Sequence, residues 1–204
     1  KQHRHQGTCR VADHVHRLGH STGALVAMLL ASRHPSRVSR LALVGGFADG
    51  TFAGQQTWVR EQVLNAPLGA SMLGLAVKAW TANAYTFRAG MKEMVSDWRA
   101  TENCPDFAAI CERVRVDLRQ ANPHGLHRVV RWLSSCRAWD RLSAIVTPTT
   151  VIAGAQDRVV PFDHQRHVAA RTRGRLRVHR HSGHLPMVDQ TRWFAHTIDQ
   201  WARN

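Results

Sequence analysis

The chain has 204 residues, 44% of them hydrophobic and 21% charged, enough for one soluble domain with its own core and too few to promise two. Its formal charge of +14 would suit a polyanionic partner, but only Lys1, Lys78 and Lys92 are lysines and the arginines are scattered. That pattern reads as GC-rich coding, and with no accompanying motif, nucleic acid is not expected as a partner. The longest apolar run, Ala24 to Ala31, is about a third to a half of a membrane span.

Residues 1–17 are polar, with His3, His5, His14 and His16 among Lys1, Arg4, Arg10 and Arg17. They read as a basic tail outside the fold, although a His-rich tract also has a metal-binding composition. From Leu18 the texture changes. Gly19-His20-Ser21-Thr22-Gly23 leads into Ala24–Ala31, apolar nearly all round, which predicts a helix buried on most faces and ended near Pro35. Ser39 to Val44 predicts a short strand closed by Gly45-Gly46.

Between about Phe47 and Thr147 the spacing is helical. Trp58, Val59 and Val63 recur at helix period, as do Met72, Leu75, Ala76 and Ala79, then Met91, Met94, Val95 and Trp98, then Ile110, Val114 and Leu118. Thr149–Ala153 predicts a β-branched strand before Gly154, and Arg175–Arg180 a strand with one exposed face. From Gln190 to Ala202, Trp193, Phe194, Ile198 and Trp201 mark a closing helix. Strands alternating with helices predict an α/β sheet, about four strands and mostly parallel.

Gly19-x-Ser21-x-Gly23 is the pattern of a nucleophile elbow, where a strand turns so tightly into a helix that side chains at the glycines would collide. Ser21 then stands at a helix N-terminus, whose partial positive charge favours a developing oxyanion. Asp157 follows the third predicted strand and His184, in Ser182-Gly183-His184, follows the fourth. Taken singly, Ser21 is equally a helix cap, Asp157 a turn residue, and His184 one of 14 histidines. Cys9, Cys104, Cys111 and Cys136 have no CxxC spacing and read as free thiols, as in a reducing, cytoplasmic compartment. Neither metal nor cofactor is expected.

With the elbow, Ala31-Ser32-Arg33-His34-Pro35-Ser36-Arg37-Val38, Leu41-Ala42-Leu43-Val44, Pro148, Gly154, Asp157, Pro161 and Gly183-His184 in this order, the chain resembles the α/β-hydrolase fold family from about Leu18 to Asn204. The resemblance implies a partial hydrolase sheet with a helical cap at about 47–147. It also implies attack by Ser21 on the acyl carbonyl of a small-molecule ester, His184 as base, Asp157 as its orienting acid and the Thr22 N–H as an oxyanion donor. Asp49 is a fallback acid, and Trp58, Met72, Trp80, Phe87 and Trp98 are either acyl-pocket or core residues.

The chain departs from the family before the elbow. Only 20 residues precede Ser21, with no room for the usual earlier strands or the loop carrying a second oxyanion donor. Val15-His16-Arg17-Leu18 is also too polar for a central strand. Truncation is the reading adopted, with self-association through an exposed sheet edge as the alternative. An inactive hydrolase-fold fragment, acting if at all in binding, is therefore the second functional reading.

Overall fold

The computed structural model describes residues 15–50, 64–102 and 106–203. Four strands, β1 (Val15–His20), β2 (Val38–Val44), β3 (Thr149–Gly154) and β4 (Arg175–His179), pair in chain order and all in parallel. Parallel neighbours need a crossover, and the helix is its usual form. Helix α1 (Thr22–Arg33) joins β1 to β2. Between β2 and β3 run α2 (Gly69–Trp80), α3 (Ala84–Met91), α4 (Trp98–Glu102), α5 (Phe107–Gln120), α6 (Pro123–Ser135) and α7 (Trp139–Leu142). Helix α8 (Phe162–Arg171) joins β3 to β4, and α9 (Pro186–Asp189) and α10 (Thr191–Arg203) close the chain. The expected parallel α/β sheet of about four strands is borne out.

Strand β2 is central. Leu41, Ala42, Leu43 and Val44 are all fully buried, as expected of a parallel strand covered on both faces. Helix α1 packs Ala24, Leu25, Ala27, Met28 and Ala31 into the same core, so its weakly amphipathic composition matches its burial. A second cluster holds the inserted helices together: Phe87, Met91, Phe107 and Cys111, flanked by Trp80, Met94 and Trp98.

One expectation is corrected. The boundary drawn at residue 17 is too late, because Val15, His16 and Arg17 belong to β1. Among the described residues β1 pairs on one side, with β2. His16 and Leu18 are exposed, and Arg17 is half-buried, its Nε without a hydrogen-bond partner among the described residues. Residues 1–14, Trp58, Cys9 and Cys104 lie outside the described residues. In the inserted region the helices are present, but the apolar residues at helix period are not all buried. Met72, Leu75, Ile110 and Val114 are 49%, 71%, 45% and 38% exposed, whereas Phe87 is core.

Candidate active site

Residues from three strand ends meet at the carboxyl edge of the sheet. Ser21 sits between β1 and α1 with φ 52° and ψ −117°, a backbone state costly for any residue with a side chain. What holds it there is the elbow itself. The Ser21 N–H donates to the Val44 carbonyl at 2.9 Å, and the Ser21 carbonyl accepts from Ala24 and Leu25. A Cβ on Gly19 would lie 2.3 Å from the Gly23 carbonyl oxygen, so the close crossing of strand and helix requires glycine. Thr22 opens α1, and its N–H is one of the donors the first helical turn leaves without a helical partner.

Asp157 follows β3, and its side chain has no exposed surface. One oxygen, Oδ1, accepts from the backbone N–H groups of Val159 and Val160, both at 2.8 Å. The other, Oδ2, accepts from Gln165 Nε2 at 2.9 Å and from His184 Nδ1 at 2.8 Å. Four donors thus fix the carboxylate, and with His184 donating from Nδ1, its Nε2 is left as a base. His184 reaches the elbow through its neighbours. Its carbonyl accepts from His20 Nε2 at 2.8 Å, and the two rings lie 4.7 Å apart. Gly45, beside Val44, comes so near that a Cβ there would sit 3.0 Å from the His184 ring, and its φ of +54° suits glycine. Among the described residues no hydrogen bond joins Ser21 to His184, and such contacts commonly tighten only once substrate is bound.

The fallback acid is occupied elsewhere. Asp49 accepts from Trp139 Nε1, and the adjacent Ala48 N–H donates to His164 Nε2 at 2.9 Å. The most informative residue that sequence reasoning missed is Asp189. Buried at the end of α9, it accepts from Gly183 N–H at 2.9 Å, Ser182 Oγ at 2.9 Å and Ser96 N–H at 3.0 Å. It therefore ties the loop bearing His184 to the segment after α3, where the Leu185 N–H also donates to the Met94 carbonyl. Only its position five residues after His184 hinted at it. Gln165, which braces Asp157, carried no sequence signal.

Burial, reinforced by the neighbouring His184 imidazole, pushes His20 below the ordinary histidine range. Burial lowers His164 as well, against the pull of Asp49. In the unfolded chain both would titrate near about 6.5. The unfolded state then binds more protons below that pH, so stability is full above it and falls as pH drops toward the lowered folded-state values. Urea midpoints measured from pH 8 to pH 5 are expected to fall below about pH 6.5, and less steeply in His164→Gln.

Residues 6–197 match the profile of the alpha/beta hydrolase family. The chain is 28% identical over 182 residues to the pimeloyl-[acyl-carrier protein] methyl ester esterase of Neisseria meningitidis serogroup B, covering 87% of this chain. It spans about 65% of the length of that curated relative. Among solved structures, a hydrolase from Pseudomonas aeruginosa PA01 is 26% identical with a TM-score of 0.66, over 93% of this chain and 65% of that one. The enol-lactonase from Burkholderia xenovorans LB400, at 17% identity and a TM-score of 0.70, covers 94% of this chain and 66% of its own. At that identity it speaks for the fold alone.

Proposed function

The chain belongs to the alpha/beta hydrolase family, and from that premise we propose that it cleaves a carboxylic ester through an acyl-enzyme on Ser21. His184 takes the hydroxyl proton as Ser21 attacks the carbonyl, and Asp157 stabilises the imidazolium that forms. The Thr22 N–H and the α1 terminus meet the charge that develops on the carbonyl oxygen. His184 then returns the proton to the departing alcohol, and water resolves the acyl-enzyme by the same route. Helices α2 to α6 act as a cap over the substrate.

The observation that carries this reading is the buried Asp157–His184 pair at 2.8 Å beside an elbow serine at φ 52°. The relative's name points to a methyl ester of an acyl chain held on a carrier protein as one candidate substrate. A small ester is the substrate class proposed.

The second reading, a hydrolase-fold fragment without turnover, is favoured by one observation. Strand β1, which feeds the elbow, has an unpaired outer edge among the described residues. Such an edge is also where a second copy would add. Intact-mass spectrometry after treatment with a fluorophosphonate separates the two readings. A single phosphonyl adduct, mapped by peptide digestion to Ser21, is expected. An unmodified chain would leave the fragment reading standing.

A further inference from the structure

The end of the sheet farthest from Ser21 carries a different chemistry. At the amino ends of β3 and β4 lies a cavity of about 300 Å³ whose lining includes Arg40, Arg173, Arg175, Arg177, Thr197 and Trp201, and no carboxylate. Its arginines come together for identifiable reasons. Arg175 and Arg177 are two apart on β4 and share a face, while Leu176 between them packs into the core. Arg40 reaches the same side from β2 and donates to the Trp201 carbonyl at 3.3 Å. Arg173 sits in the left-handed turn before β4, at φ 51°.

Some arginines elsewhere on this chain find acids. Arg113 pairs with Asp117, Arg115 with Glu112, Arg158 with Glu93, Arg166 with Asp163, and Arg203 with Asp199. Among the described residues none of the four cavity arginines has an acidic partner, though they face one space. Like charges gathered without counter-charge repel each other, and an anion in their midst removes that cost. The guanidinium fork is also the side chain best shaped to grip a phosphate through paired donors.

We propose that this cavity binds a small diphosphate-bearing molecule, held by Arg40, Arg173, Arg175 and Arg177, with Trp201 beside whatever ring or chain the diphosphate carries. The four positive charges exceed the charge of about −1.5 to −2 that a single phosphate group carries near neutral pH, and a diphosphate offsets them better. The site does not depend on the hydrolytic reading, being at the opposite strand ends.

Titration calorimetry with inorganic pyrophosphate at low ionic strength tests it. Wild type is expected to bind pyrophosphate at least about tenfold more tightly than orthophosphate, and Arg175→Gln/Arg177→Gln to lose about tenfold or more. Arg113→Gln/Arg203→Gln removes the same charge from exposed ion pairs elsewhere and is expected to bind like wild type. Should the cavity double variant fail to fold by circular dichroism, Arg173→Gln, in an exposed turn, carries the same expectation of weakened binding. Equal losses in both double variants would overturn the proposal, assigning the attraction to net charge. So would no measurable heat with pyrophosphate, equal affinity for orthophosphate, or a short oligonucleotide that binds more tightly and ignores the cavity substitutions.

Discussion

Ser21→Ala is expected to abolish fluorophosphonate labelling and reduce hydrolysis of a p-nitrophenyl ester to background, and Asp157→Asn to lower kcat/KM by about 10⁴-fold with the fold intact. The asparagine effect follows from who donates to whom. Asp157 Oδ1 lies under two backbone N–H groups, so the asparagine oxygen must stay there and its NH₂ must take the place of Oδ2. That NH₂ now donates to His184 Nδ1, which drives the ring proton onto Nε2, the atom required as a base. The negative charge that would steady the imidazolium is gone as well. Stability should change little. Gln165 can turn its amide so that Oε1, buried without a partner among the described residues, meets the new NH₂, while the Val160 carbonyl loses the bond it accepts from Nε2. Equal urea midpoints with unequal rates would separate this from a folding defect. Because the three residues act as a unit, Ser21→Ala/Asp157→Asn is expected to be no slower than Ser21→Ala alone.

How much of this was legible in the sequence depends on what each signal encodes. Gly19 reports a backbone crossing, and the structure has it, since a Cβ there would lie only 2.3 Å from the Gly23 carbonyl oxygen; a Cβ on Gly23 would meet nothing within 4 Å, so that glycine is not required by a collision. The apolar run of β2 reports burial on both faces, and Leu41–Val44 are buried. The polarity of His16 and Arg17 argues against a central strand, and composition alone does not reveal that β1 pairs with β2 over Val15–His20. Helical period in the inserted region revealed the helices but not what each face meets. Met72 and Leu75 therefore point outward despite their composition. Asp189 was illegible because it is the fold that assembles its partners, the Gly183 N–H, the Ser182 hydroxyl and the Ser96 N–H, the last 93 residues away. Nothing in local spacing can announce a contact of that separation.

That same loop makes Gly154→Ala a damaging conservative change outside the proposed triad. A Cβ at Gly154 would stand 2.1 Å from the Gly183 carbonyl oxygen and 2.4 Å from that of Ser182. Both are backbone atoms and cannot rotate aside. The loop would have to retreat by about 1 Å, a misplacement on the scale that costs about 10²-fold in rate when a reacting group moves with it. Retreat is opposed from three directions. Asp189 holds Ser182 and Gly183, the Gln156 N–H donates to the Ser182 carbonyl at 2.9 Å, and Leu185 is tied to Met94. The strain therefore divides between the two sides, with β3 pushed off register or His184 drawn off Asp157. A destabilisation of about 1–3 kcal/mol is expected for overpacking of this kind. Fluorophosphonate labelling should slow by about 10²-fold or more at temperatures where the variant remains folded. Weakening the clamp on the loop offers the discriminating measurement. If His184 is displaced because Asp189 resists the loop's retreat unevenly, adding Ser182→Ala should recover part of the lost stability by letting the loop yield. Labelling should remain slow, since the yielding carries His184 further from Asp157. Recovery of both together would mean that the strain resides in β3 and that His184 had kept its place.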